Sequence, residues 1–520
     1  MTFIKILTSI LLLATIIGCG NAYNILGVFP TMARSHFFVG SALMKGLAEK
    51  GHDVTVVSPF PAKKPIKNYH DVVTPNILEL WKARADNIIN LRDQSIIQGF
   101  LGIFDMGILI TNSTLGESSL KQLMASGKKF DVVVCEVFVS EALFGLAEHF
   151  NAPLIGLSTF GATQWNTDLV GSPSPPSYVP NPFLPLTHRM SLLGRISNLA
   201  VNTIETVFFH TLYMPRQREL FNRYFPKSKM GLDQIRKNTA LVLLNAHVSL
   251  GFPRPYMPNM IEVGGMHIDR KQKPLPAEMK KFLDSAKDGA IYFSMGSNLK
   301  SALLPAEKRD AILKTFKSLK QKVMWKFEDQ NLPGKSDNVF ISDWFPQQDI
   351  LAHPNVKLFI THGGLLSTTE SIFLSKPFIG VPMFGDQYLN MARAETGGYG
   401  IMVDYNDLTQ ETFTAAINKM LNDKSYEQRA KDISEKYRDQ PLEPLALATY
   451  WVEYVARHKG APHLRSAGQD LNFIQYHNLD AIVILFGGLT LVLVALLTIL
   501  FKLIALFLAP RKKTVKRKRN

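Results

Sequence analysis

Residues 356–387 read "VKLFITHGGLLSTTESIFLSKPFIGVPMFGDQ". An apolar run, 356–361, stops at His362-Gly363-Gly364; a helical pattern follows, and a second apolar run occupies 377–382. Strand, glycine turn, helix and strand make the unit of a parallel sheet, because parallel neighbours need a crossover long enough to hold a helix. His362 then lies at the carboxyl edge of its strand, where such sheets bind ligands. Gly363 and Gly364 let a ligand approach the backbone closely. Ser367 reads as the N-cap of the helix, whose N-terminus would seat a phosphate. Glu370 lies one turn further on, where a carboxylate can accept from ribose hydroxyls. Just upstream, Trp344 follows a short strand and offers a flat face for a base. "SMGSN" at 294–298 adds a Gly-Ser turn after another strand.

The same alternation runs through the rest of the chain. Strands are expected near 24–29, 53–57, 131–135 and 153–157, and again near 289–294, 322–327, 356–361, 377–382 and 400–404. The apolar stretch around 95–110 reads as helical. A proline-bearing segment, "GFPRPYMPNMIEVGG", sits between the halves as a connector, and "GSPSPPSYVPNPFLPL" at 171–186 reads as a loop over the first half. About 450 residues exceed one hydrophobic core, so two α/β domains are expected. The resulting division is 1–22 signal peptide, 23–245 first domain, 246–278 linker and 279–445 second domain. A helical segment packing back, 446–479, then leads to a transmembrane helix, 480–509, and a basic tail, 510–520.

His36 follows the first strand and starts the first helix, and Glu136 follows the strand "DVVVC". Both therefore come out at the carboxyl edge of one sheet. A helix N-terminus disfavours imidazolium by roughly 0.3–1 kcal/mol, which biases His36 towards the neutral form that accepts a proton. Glu136 could hold its other nitrogen and stabilise the cation formed on protonation.

The ends set the compartment. Lys5 and the apolar run "ILTSILLLATII", followed by small residues, form a secretory signal with cleavage after Ala22. Ala481 to Phe501 carries no charge and spans about 31 Å as a helix, close to the hydrocarbon thickness of a bilayer. The closing "RKKTVKRKRN" has seven basic residues and no acid, which places it in the cytoplasm and the domains in a lumen. Lys516 and Lys518 resemble a dilysine signal for retrieval to the endoplasmic reticulum, a reading favoured over simple attraction to anionic lipid heads. Most of the net charge of +15 is therefore local to the ends, and the chain has no nucleic-acid footprint. Cys135 stays alone once Cys19 leaves, and "NST" at Asn112 is a glycosylation sequon.

Residues 344–387 as a whole carry W-x-P-Q, T-H-x-G-x-x-S-x-x-E and a closing D-Q. This resembles the signature of the UDP-glycosyltransferases, the animal membrane-bound glucosyl- and glucuronosyltransferases, and is similar in style to their insect members. The resemblance extends over nearly the whole chain. It implies a GT-B fold of two Rossmann-like domains facing a cleft, with the acceptor on the first and UDP-sugar on the second. Trp344 would stack on uracil, and Gln347 and Glu370 would bind ribose. Ser297, His362, Gly364 and Ser367 would hold the diphosphate, and Asp386 and Gln387 the sugar hydroxyls. His36 matches the catalytic base of an inverting transfer to small lipophilic hydroxyl acceptors that partition into membrane lipids. Where the family usually has Asp as the partner of that base, this chain has Glu136.

No metal or other cofactor is expected. The chain has no Asp-x-Asp and no His/Cys cluster with zinc spacing. The donor is UDP-glucose or UDP-glucuronate, with glucose favoured and Arg34 or Arg254 as candidate partners of a glucuronate carboxylate. A non-catalytic lumenal binder of lipophiles or UDP-sugar is the contrasting expectation.

Overall fold

The computed structural model describes residues 22–85, 94–297 and 299–509. The signal segment before Ala22 and the tail lysines Lys516 and Lys518 lie outside the described residues. The chain divides into two compact units, one ending at Arg465 and the other beginning at Ser466.

The first unit holds two sheets. The first sheet contains β1 (Asn24–Val28), β2 (Asp53–Ser58), β3 (Tyr69–Val73), β4 (Val132–Glu136), β5 (Leu154–Ser158), β6 (Leu241–Leu244) and β7 (Met260–Glu262). The second contains β8 (Ala290–Ser294), β9 (Lys322–Lys326), β10 (Val339–Ser342), β11 (Val356–Thr361), β12 (Phe378–Gly380) and β13 (Gly400–Met402). Among the described residues the strands pair in parallel throughout both sheets. Central strands such as β4 and β5 are buried along their whole length, as their predominantly apolar sequences VVVCE and LIGLS suit a sheet covered on both faces.

Strand order explains where ligands can bind. The first sheet runs β3-β2-β1-β4-β5-β6-β7 and the second β10-β9-β8-β11-β12-β13. In each, chain order reverses at one place: between β1 and β4, and between β8 and β11. The crevice at the carboxyl ends of those two pairs is the favoured ligand site of a doubly wound sheet.

The principal helices are α1 (Arg34–Glu49), α2 (Ile96–Gly116), α3 (Leu192–Phe208), α4 (Leu365–Phe373), α5 (Gln387–Gly397), α6 (Pro444–Arg457) and α7 (Leu479–Leu508). α2 is apolar enough to pass for a span, but Phe100, Phe104, Ile110 and Leu115 are buried in the first domain, so it is a core helix. α6 returns to the first domain, where Ala448, Val452 and Val455 pack with Leu43 and Leu47 of α1. Glu453 holds Lys50 at 2.6 Å and His52 at 3.0 Å on the same face. The second unit contains α7, 30 residues and about 45 Å long, which is long and apolar enough to cross a membrane.

Three strands were not expected from the sequence: β3, β6 and β7. β7 lies inside the segment read as a connector and adds an edge to the first sheet. A second difference concerns Ser367. Gly364, with φ −64° and ψ 144°, is the N-cap of α4, and Ser367 sits buried in the first turn. The helix starts early because Gly363 takes φ +82°, a left-handed turn open to glycine, so the strand exit folds back within two residues.

Candidate active site

A cleft of about 930 Å³ separates the carboxyl edges of the two sheets. The first-domain wall carries His36, in the first turn of α1, and faces the switch point between β1 and β4. Glu136 is the last residue of β4. The register that sets Val28 beside Cys135 brings the two side chains together, and His36 Nδ1 lies 2.5 Å from Glu136 Oε1. The Glu136 side chain is fully buried and that of His36 is 11 % exposed. Phe138 and Phe160 present their rings nearly at right angles to the imidazole, at 4.9 and 5.0 Å, and fix its plane.

Two threonines complete this arrangement. Thr31 Oγ1 donates to Glu136 Oε2 at 2.7 Å, and Thr159 Oγ1 lies 3.0 Å from His36 Nδ1 and 3.3 Å from Glu136 Oε1. The longer side chain of glutamate is thus accommodated: one oxygen takes the imidazole and the other is anchored on Thr31. A carboxylate accepts, so Nδ1 carries the ring proton and Nε2 keeps its lone pair. The group is arranged to take a proton.

The second-domain wall is built at the switch point between β8 and β11. His362 follows β11 and the turn Gly296-Ser297 follows β8 closely; Ser297 is exposed. The His362 ring is gripped between glycines: a Cβ on Gly296 would come within 2.5 Å of its Cε1, and one on Gly364 within 2.5 Å of its Nε2. Gly296 also takes φ +82°. Burial pushes the His362 imidazole down to about 4, with the Lys326 charge adding to the effect. His362 is therefore neutral at neutral pH, and Lys326 is the local cation. The Lys326 ammonium, nine-tenths buried at the end of β9, donates to the Gly296 carbonyl at 2.7 Å and lies 3.3 Å from Glu328.

Further along, Gln347 Nε2 donates to Glu370 Oε2 at 2.7 Å and to Ser367 Oγ at 3.2 Å. Gln348 Nε2 donates to Glu370 Oε1 at 3.0 Å. Both Glu370 oxygens keep a second lone pair for ligand hydroxyls. Trp344 is 54 % exposed at the rim of the cleft. His267, lining the same cleft with its side chain 4 % exposed, has its Nε2 3.4 Å from Glu370 Oε1. Gln387 Oε1 accepts from the Met383 and Phe384 amides at 2.7 and 3.2 Å, which leaves the Nε2 end of its amide as the available donor. Burial raises the Asp386 carboxyl; Asn390, His36 and Arg393 act against it. The charge of His36, from the first domain, thus reaches Asp386 on the second.

Every residue expected to act in catalysis or to hold UDP-sugar lines this cleft except Glu136, which sits behind His36. Asn112 lies apart, exposed on α2, with its side-chain oxygen accepting from Tyr224 at 3.0 Å. Arg34 does not line the cleft and lies over the Phe60 ring, 4.7 Å from its centroid. Arg254 does line it, but donates to the Ala162 carbonyl and to Ser174 at 3.0 Å each. Among the described residues no group of three His, Cys, Asp or Glu side chains is placed to hold a metal ion. Thr31, Thr159, Lys326 and His267 were missed from the sequence.

Comparison with known proteins adds the following. The family model described as "UDP-glucoronosyl and UDP-glucosyl transferase" matches residues 25–519. A UDP-glycosyltransferase of Dactylopius coccus is 36 % identical over 479 residues, covering 91 % of each chain. The UDP-glucuronosyltransferase 2A3 of Cavia porcellus is 32 % identical over 497 residues, covering 91 % of this chain and 92 % of its own. Among solved structures, the glycotransferase of kitacinnamycin superposes with a TM-score of 0.56 at 16 % identity, over 85 % of this chain and all of that one. That likeness is one of fold, GT-B.

Proposed function

The chain belongs to the UDP-glucuronosyl and UDP-glucosyl transferase family, and on that premise we propose that it transfers glucose, in preference to glucuronate, from UDP-sugar to hydroxyl groups of small lipophilic acceptors. The observation that carries the reading is the His36–Glu136 pair facing Asp386 across the cleft. His36 Nε2 takes the acceptor proton as the acceptor oxygen attacks the anomeric carbon. The bond from that carbon to the phosphate oxygen breaks, UDP leaves with the electron pair, and configuration inverts. Glu136 stabilises the imidazolium formed.

Donor recognition follows from the second wall. Trp344 stacks on uracil, Gln347 and Glu370 take the ribose, and Asp386 and Gln387 take sugar hydroxyls. Ser297, Gly364, Ser367 and His362 surround the diphosphate, with Lys326 supplying positive charge in a site screened from water. The reaction needs no metal and survives chelation. Glucose is favoured because Arg34 and Arg254 are turned to other partners. Arg393, a further guanidinium on the cleft wall, lies over Phe252 beside the charges of Asp386 and Glu262. The catalytic domains are lumenal in the endoplasmic reticulum, with Lys516 and Lys518 as the retrieval signal and Asn112 as a glycan site.

The test is sugar transfer by the full membrane-embedded chain to a panel of phenols and sterols, with UDP-glucose and UDP-glucuronate side by side. Transfer from UDP-glucose that His36→Ala abolishes supports the assignment. Transfer from UDP-glucuronate alone overturns the donor preference, and equal turnover by His36→Ala overturns the base.

A further inference from the structure

His267 lies in the segment that joins the two domains, five residues past β7. Its backbone is held from both sides. Before it, Gly265 turns the chain at φ +90°, Tyr437 Oη donates to the Gly264 carbonyl at 2.9 Å, and Met266 is buried in the core of the first domain. After it, the Asp269 amide donates to Gln348 Oε1 at 2.9 Å and the Lys273 amide to Asp349 Oδ1 at 2.8 Å. The imidazole is thus fixed on the cleft wall, yet neither of its nitrogens makes a hydrogen bond among the described residues. Enclosed polar groups of that kind are few in folded proteins, because each bears a desolvation cost that a partner would offset.

What stands beside it says which partner fits. His267 Nε2 is 3.4 Å from Glu370 Oε1, an oxygen that already accepts from Gln348 at 3.0 Å. A ring N–H and a carboxylate oxygen set side by side, and not bonded to each other, suit a group that accepts from the first and donates to the second. A hydroxyl does both. A diphosphate has no proton to give, and Glu370 repels it. The base belongs with Trp344 at the exposed rim, whereas the His267 side chain is enclosed. We propose that His267 is a further donor-binding residue: its N–H donates to one ribose hydroxyl of UDP-sugar while that hydroxyl donates to Glu370, so that the interdomain segment selects ribonucleotides over deoxyribonucleotides. This rests on the reading that the second-domain wall holds UDP-sugar. A purely structural pairing of His267 with Glu370 would instead steady the carboxylate for every nucleotide alike.

The test is calorimetry on the full chain in detergent, with UDP, 2′-deoxy-UDP and 3′-deoxy-UDP as ligands; it needs no catalysis. One of the two deoxynucleotides lacks the bridging hydroxyl, and wild type should bind it about 10- to 100-fold more weakly than UDP, since both His267 and Glu370 then lose a partner. His267→Leu and His267→Ala each remove the N–H. The first keeps most of the volume and the second opens onto the cleft, so either serves if the other fails to fold. Each should weaken UDP about 10-fold and that deoxynucleotide less than about 2-fold, so that the preference shrinks. Equal weakening of all three nucleotides overturns the proposal, because His267 would then act only through Glu370. Unchanged affinity for UDP in the variants overturns it as well, and so does a wild type with no preference for UDP over either analogue. In these three cases UDP still binds wild type and the donor site stands. A wild type that binds no UDP overturns the donor site itself, and His267 with it.

Discussion

Glu136→Gln keeps the size of the side chain and removes its charge, so it isolates what the carboxylate does for His36. Thr31 decides the orientation of the new amide. Its hydroxyl donates to the Oε2 position at 2.7 Å, so the amide oxygen stays there and the NH2 falls where Oε1 was, 2.5 Å from His36 Nδ1. An NH2 can only donate to that nitrogen, which moves the ring proton to Nε2, the nitrogen that must accept from the acceptor. The lost charge alone accounts for about 1–2 kcal/mol, the difference between a charge-assisted and a neutral hydrogen bond, or roughly 10-fold in rate. The wrong tautomer adds to this, for a total of about 10²- to 10⁴-fold in kcat. The assay is steady-state glucose transfer with both substrates varied. The KM for UDP-glucose should stay put, because Glu136 lies on the acceptor wall. In Thr31→Val/Glu136→Gln the amide is free to turn its oxygen to Nδ1, and part of the rate should return. A single variant within about threefold of wild type, against the 10²-fold expected of a lost base, would refute the role of the carboxylate. A double variant no faster than the single one would refute the part assigned to Thr31.

Binding of UDP-glucose, which has no ionisation of its own near neutrality, should strengthen as pH falls from 7 to 5. His362 sits at about 4 without ligand, a nearby diphosphate raises it, and the complex therefore takes up a proton. The gain is about tenfold at most, and calorimetry on His362→Asn should show a flat profile. Lys326→Met removes the buried cation beside His362 and should weaken UDP-glucose binding by about 1.5–3 kcal/mol, or roughly 10- to 100-fold, with α/β circular dichroism unchanged. Glu205 is pushed up to about 7 by burial, with Asn181 acting against it. The folded state thus binds more protons than the unfolded one between the ordinary carboxyl value of 4.5 and about 7, and its stability falls as pH rises through that window. Glu205→Gln, which stays neutral, should be more stable than wild type by about 3 kcal/mol at pH 8 and no more stable at pH 4, read as a shift in Tm.

Much of this site was legible because chemistry in a doubly wound sheet gathers at carboxyl edges. His36, Glu136 and His362 were found by asking which residues follow an apolar run. Asking the same of every strand would also have found Thr159, one residue past β5, Lys326, the last of β9, and Thr31, three past β1. A threonine or lysine at a strand end carries little signal alone, and Thr31 and Thr159 meet Glu136 and His36 across 105 and 123 residues of chain. The missed strands have a different cause. β3 is "YHDVV", partly exposed and carrying two polar residues, while β6 and β7 are four and three residues long. Runs that short are fixed by the neighbour they pair with, not by their own pattern. Ser367 failed as a cap because serine is the commoner choice there, whereas the two-glycine exit from β11 starts the helix sooner.

The return of α6 has a consequence for how the protein is made. Met260–Glu262 completes the first sheet, yet Ala448, Val452 and Val455, which close one face of it, emerge from the ribosome almost two hundred residues later. At about 5–20 residues per second that is a wait of roughly 10–40 s with an apolar surface uncovered. The first domain is therefore the earlier to be synthesised and the later to be finished. It also is not a contiguous piece of the gene: a chimera that exchanges acceptor domains by a single crossover after β7 pairs one parent's α1 with the other parent's α6. Crossovers that carry residues 444–457 with the first domain should yield soluble chimeras where single crossovers aggregate.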